Sequence, residues 1–194
     1  MTGDGKPNIV SGAWWYETSD IATQHHIGDV MAEGEYYDDF STIPMDVNGN
    51  GRLDFVTGGW WGDTIRWREN PGDPGKVWPE HIIAHTGNVE TTRAWDVDGD
   101  GQVEIVPNTP GGPLVVYKLV VDAAGKGTGT FDAHTVYAEA QGHGLGFGDV
   151  NGNGRGDFIL NNGWLEAPED PFSGEWVLHP DFELGGQASV PILV

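Results

Sequence analysis

Three nine-residue stretches carry side-chain oxygens in one shared frame: Asp46, Asn48, Asn50 and Asp54; Asp96, Asp98, Asp100 and Glu104; and Asp149, Asn151, Asn153 and Asp157. In each the oxygens stand at the first, third, fifth and ninth places, with glycine at the fourth and sixth. Alternating oxygens on a tight turn converge on one point, which is the chemistry of a hard cation. Calcium takes six to eight oxygens at about 2.3–2.6 Å, and a glycine at the sixth place permits the sharp reversal. The expected ligands are these twelve side chains, joined in each loop by a backbone carbonyl at the seventh place, Arg52, Gln102 or Arg155. A helix-flanked calcium hand closes with glutamate at its twelfth place. Here the twelfth places hold Thr57, Pro107 and Leu160, and β-branched and aromatic residues follow, so each loop is expected to join two strands. Asx-rich turns without an ion would use the same residues, but three copies in register favour about three bound calcium ions. The loop at Asp96 has the most carboxylates and is expected to bind most tightly.

A second group of residues could act on a ligand. His143 lies in Gln141-Gly-His-Gly-Leu145, and the matching segments of the other copies are Tyr36-Tyr37-Asp38-Asp39 and Glu90-Thr91-Thr92-Arg93. If they converge on one channel mouth, Asp38, Asp39, Glu90, Arg93 and His143 could bind a polar ligand or perform general acid–base chemistry; otherwise they are turn and rim residues. His26, His81, His134 and His179 recur once per repeat, which fits one structural role in each. Trp14-Trp15 and Trp60-Trp61 align in the repeat frame and are expected to pack, although exposed tryptophan beside carboxylates also suits sugars.

The elements that position these residues follow from the period. The loops begin 50 and 53 residues apart, and a truncated copy opens the chain at Asp4-Gly5-Lys-Pro-Asn8. Approximate repeats are 1–45, 46–95, 96–148 and 149–194 of a single segment. Each holds about four short strands, read from apolar pairs such as Phe55-Val56 and Ile105-Val106 separated by Gly, Pro, Asn and Asp turns. Four strands in this length make one blade of an all-β propeller. About four blades are present, so the expectation is a partial propeller or half of a dimeric ring.

Composition limits the partners. A formal charge of -21 repels nucleic acid and anionic membranes. Cysteine is absent, which excludes disulfides and thiolate metal sites. No apolar run reaches the about 18 residues of a membrane span, and Met1 is not followed by a leader, so no export signal is expected in this chain.

The loop pattern followed by Phe/Ile-Val, with Gly146-Phe147-Gly148 before the third loop, resembles the FG-GAP and VCBS repeat families. That resemblance implies a calcium-binding propeller module of a secreted or surface protein, extracellular or periplasmic, used for glycan or protein recognition. It also implies more blades than this chain holds, supplied by further chain or by a homodimer. Trp67-Arg-Glu-Asn-Pro71 with Trp78-x-x-His81 is similar to the propeller of the aldos-2-ulose dehydratases. The alternative that this raises is part of a carbohydrate-active enzyme, a lyase or dehydratase, with its site at the channel.

Overall fold

The structure, a computed structural model, describes residues 5–184 and 192–194. Seventeen strands and no helix make up the described residues. The first sheet is β1 (Asn8–Ser11), β2 (Trp14–Glu17) and β3 (Asp20–His26). A small hairpin follows, β4 (Ala32–Glu33) and β5 (Tyr36–Tyr37). The second sheet is β6 (Ile43–Met45), β7 (Asp54–Gly58), β8 (Thr64–Arg68) and β9 (Glu80–His85). The third is β10 (Thr91–Trp95), β11 (Glu104–Asn108), β12 (Leu114–Val121) and β13 (Gly127–Tyr137). The fourth is β14 (Gly146–Gly148), β15 (Asp157–Leu160), β16 (Gly163–Glu166) and β17 (Val177–His179). Every sheet is an antiparallel meander in chain order.

The sheets stack face to face as blades of a partial propeller, and burial explains the patterning. All residues of β7, β8 and β11 are buried, because a middle strand of a stacked blade is covered on both faces. The alternate side chains of β7 and β11 divide between successive apolar layers. Phe55 joins Trp15, Ile27 and Trp78 between the first and second sheets, whereas Val56 joins Ile65, Trp67, Ile105 and Tyr117 in the next layer. Val106 then points the other way, into the layer with Val116, Leu145, Phe158 and Leu165. The outer strand β13 instead alternates partly buried and exposed residues over most of its length, as an edge strand facing water on one side does.

The inner strands β6, β10 and β14 precede the three oxygen-rich loops. Ile192–Val194 runs beside β14, with the Ile192 N–H donating to the Leu145 carbonyl at 3.3 Å. The two glycines of Gly146-Phe147-Gly148 make room for that approach. A Cβ on Gly146 would stand 2.8 Å from the Ile192 carbonyl oxygen, and one on Gly148 2.8 Å from Val194 Cβ. Ala188–Val194 is read from the sequence as the next inner strand, but residues 185–191 lie outside the described set.

Two alignments shift. The loop frame sets Trp14-Trp15 on Trp60-Trp61, yet Trp15 pairs with Val10 as Trp67 pairs with Val56 and Trp164 with Ile159. The turn after β1 is simply shorter than the one after β7. Each four-stranded sheet also straddles two sequence repeats, since β6, for example, closes the stretch 1–45 but pairs with β7 of the next.

Candidate metal loops and a polar rim

Each oxygen-rich loop joins an inner strand to the second strand of its blade, and backbone N–H groups hold its side chains inward. Asp46 accepts from the amides of Asn50 and Gly51 at 3.0 and 2.9 Å, and Asn50 Oδ1 accepts from the Arg52 amide at 2.9 Å. Asp54 is fully buried and accepts from Val47 and, across the blade, from Asn70 at 3.0 and 2.8 Å. The third loop repeats this. Asp149 accepts from Gly152, Asn153 and Gly154, Asn153 from Arg155, and Asp157 from Val150 and Ala167. In the second loop Asp96 accepts from Gly101, Asp98 from Asp100, Asp100 from Gln102 and Glu104 from Val97. These bonds tie side-chain oxygens of each loop to the backbone of its own turn.

Desolvation pushes the Asp54 carboxyl up to about 6, although the bonds from Asn70 and Val47 oppose it. Burial likewise raises Glu104. Both shifts come from desolvation, which the Lys118 ammonium opposes at Glu104, and an all-oxygen donor set fits calcium. In the second loop, oxygens of Asp96, Asp98 and Glu104 lie within 4.8 Å of one another, and the buried Asp96 Oδ1 has no hydrogen-bond partner among the described residues.

Behind the loops stands a support that the sequence reading missed. Glu69 follows β8 directly, and its Oε1 accepts from Asn48 Nδ2 at 3.0 Å, turning the amide oxygen toward the loop. Glu166 does the same for Asn151 at 2.9 Å. A histidine on the outer strand holds each glutamate, His81 at 3.1 Å and His179 at 2.8 Å, while its ring stacks on Trp67 or Trp164 at 4.3 Å. The first blade has the same unit in Glu17, His25 and Trp15. The recurring histidine there is thus His25 and not His26, which pairs with Trp14.

The third blade departs from this. His134 keeps its register, opposite Val116, but Val116 stands where the others have tryptophan and Lys118 where they have glutamate. Lys118 Nζ reaches into the second loop, bonding Asp98 and Asp100, the latter at 2.6 Å, with Glu104 Oε1 at 3.4 Å. Burial works against its charge, but the Asp100 and Asp98 bonds and the Glu104 charge hold the ammonium above its ordinary pKa. The Lys118 bond in turn lowers Asp100.

At the other end of the inner strands the rim candidates separate. Glu90, before β10, and His143, before β14, meet with Nδ1 and Oε1 2.9 Å apart. The exposed His143 ring lies parallel to Trp60 at 6.1 Å. Beneath them Asn108, Thr109 and Gln141 form a buried amide–hydroxyl network that fixes the 141–144 segment. Trp61, in the same β7–β8 turn as Trp60, packs on Tyr36 of the small hairpin and on Phe40 after it. Asp38 does not join this group at the surface. It is 1 % exposed and is consumed by the Trp61 and Gly62 amides and Arg66. Asp39 bonds Thr57, and burial raises its pKa. Arg93 lies between inner strands, lining the spaces shared with Ser41 and Thr42 on one side and Phe147 and Ile192 on the other.

Stacked four-stranded meanders with an oxygen-rich loop after each inner strand define a partial β-propeller. Residues 46–106, which contain the first two loops, match the FG-GAP-like repeat family. Among solved structures the chain is similar to a lectin of Agrocybe aegerita, described by its specific recognition of non-reducing terminal N-acetylglucosamine. That similarity has 21% identity and a TM-score of 0.48, covering 88% of this chain and 47% of the lectin. The chain thus spans about half the length of that protein. No curated protein matches the chain.

Proposed function

We propose that this chain is a calcium-binding propeller module of a secreted or surface protein, with its rim used to recognise a glycan. The observation that carries the recognition reading is the surface formed by Trp60, His143 and Glu90 together with Tyr36 and Trp61. Flat aromatic faces beside a carboxylate and an imidazole match the apolar faces and hydroxyls of a sugar. Tyr36 and Tyr37 are 66% and 65% exposed, which leaves contact area free for a ligand. The calcium part is supported by the oxygen sets held inward in the loops, with Asp46, Asn48, Asn50, Asp54, Asp149, Asn151, Asn153 and Asp157 as side-chain ligands and the Arg52 and Arg155 carbonyls completing them. Calcium of extracellular affinity would fit a secreted location. The test is a glycan array read with the native chain, Trp60→Ala and His143→Ala. Loss of the same signals in both variants, with unchanged melting, supports recognition at the rim; binding that ignores both substitutions refutes it.

One observation favours a second reading. The Glu90–His143 pair at 2.9 Å is the geometry of a carboxylate-oriented base, which a lyase or dehydratase acting on a carbohydrate would use. Turnover on a polysaccharide and anhydro-sugar panel, lost in Glu90→Gln, would favour it.

A further inference from the structure

Leaving aside the Arg52 and Arg155 guanidiniums, which the second loop lacks, the acidic groups of the three loops are balanced in two ways. The first has Asp46 and Asp54 with Glu69 behind them, and the third has Asp149 and Asp157 with Glu166, so each group carries a net -3. The second has four carboxylates, Asp96, Asp98, Asp100 and Glu104, but Lys118 replaces the glutamate, and the net is again -3. Two asparagines have become aspartates where one glutamate has become lysine.

We propose that Lys118 is the resident cation of the second loop, so that this loop holds its shape without calcium while the first and third loops require it. The assignment rests on the calcium reading of those two loops, and it reverses the expectation that the most acidic loop binds calcium most tightly. Lys118 Nζ can donate three hydrogen bonds, and Asp98, Asp100 and Glu104 surround it. Glu104 is 1 % exposed, and Lys118 is the cation that faces its Oε1. The aliphatic stem and ammonium are braced from the fourth blade by Phe172, with Nζ 5.4 Å from the ring centroid. That ring also stacks on His134 at 4.2 Å. The histidine that elsewhere holds the glutamate here helps to hold the ring beside the lysine. A calcium ion could enter only by expelling the ammonium, because both would claim the same three carboxylates. Two buried oxygens of the loop, Asp96 Oδ1 and Glu104 Oε1, accept no hydrogen bond, and only the second has the ammonium within reach, at 3.4 Å.

Native mass spectrometry in calcium-replete buffer reads the stoichiometry directly. The expected result is two ions on the native chain and three on Lys118→Gln, with Glu104→Gln leaving the native chain at two. Three ions on the native chain, or no gain in Lys118→Gln that folds normally by circular dichroism, overturn the proposal. Should that variant fail to fold, acetylation of the native chain decides. Lys118 should react more slowly than Lys76, whose side chain is 68% exposed, and at the same rate with and without calcium. Faster labelling of Lys118 on adding calcium means that the ion displaces it and refutes the assignment. No ion on any form would sink the calcium reading itself while acetylation still tests Lys118.

Discussion

The first and second loops have the same backbone frame and opposite electrostatic solutions. In the first, the Asn48 amide is oriented by Glu69, and desolvation raises the buried Asp54 carboxyl. In the second, carboxylates close around a lysine supplied by the same point of the neighbouring strand. The contrast teaches that a loop motif does not by itself fix its ion. On the proposal made above, the residue two places beyond the tryptophan position of the neighbouring strand, Glu69, Glu166 or Lys118, decides whether the cation is imported or built in.

Four experiments would break or sharpen this contrast. The largest effect is expected from chelation. An ion held at about one hundred times its dissociation constant stabilises the folded state by about 2.7 kcal/mol, so emptying two loops should lower the melting temperature by about 10–20 °C. A melt unchanged by chelator would leave no difference between the loops to explain. Next, Asp54→Asn and Asp157→Asn should each cost about 2–3 kcal/mol in calcium and far less in chelator, because each removes a ligand of an imported ion. Glu104→Gln should cost about 1–3 kcal/mol equally in both buffers, because its partner is covalently part of the chain. Equal calcium dependence of all three variants would erase the distinction. Smaller again, Glu69→Gln and Glu166→Gln should weaken calcium about 10–100-fold, each at its own loop, by loosening the asparagine that it orients; calorimetric titration would show it. His81→Ala should be mildest, at about 1 kcal/mol by denaturant melt, since it removes one ring stack and one partly exposed bond. A loss of several kcal/mol would mean that the histidine does more than brace Glu69.

How much of this could be read from the chain follows from sequence distance. The loops were legible because each oxygen set spans nine consecutive residues, and the blades because Phe55-Val56, Ile105-Val106 and Phe158-Ile159 repeat after them. Lys118 was not. Its link to Asp98 crosses two strands, and the third blade lacks the tryptophan–x–glutamate step that would have set the register. A signal existed all the same: Lys118 interrupts the apolar run Leu114–Val121 at 118 - 104 = 14 residues after the ninth place of its loop, close to the 69 - 54 = 15 of Glu69. The wrong histidine in the first blade has a similar cause, since β2 and β3 slip register between Tyr16 and Glu17. The rim was half legible. Glu90 and His143 were singled out together and do pair, but the burial of Asp38 under the turn after β7 depends on Gly59 and Gly62, where any Cβ would strike its carboxylate. No local pattern in the chain encodes that contact.

The most direct test of the account is the anomalous scattering of calcium in crystals grown with the ion. It predicts a peak inside the loops at Asp46 and Asp149, with Lys118 Nζ and no peak among Asp98, Asp100 and Glu104. Empty first and third loops, or a calcium peak in the second with Lys118 swung away, would contradict it.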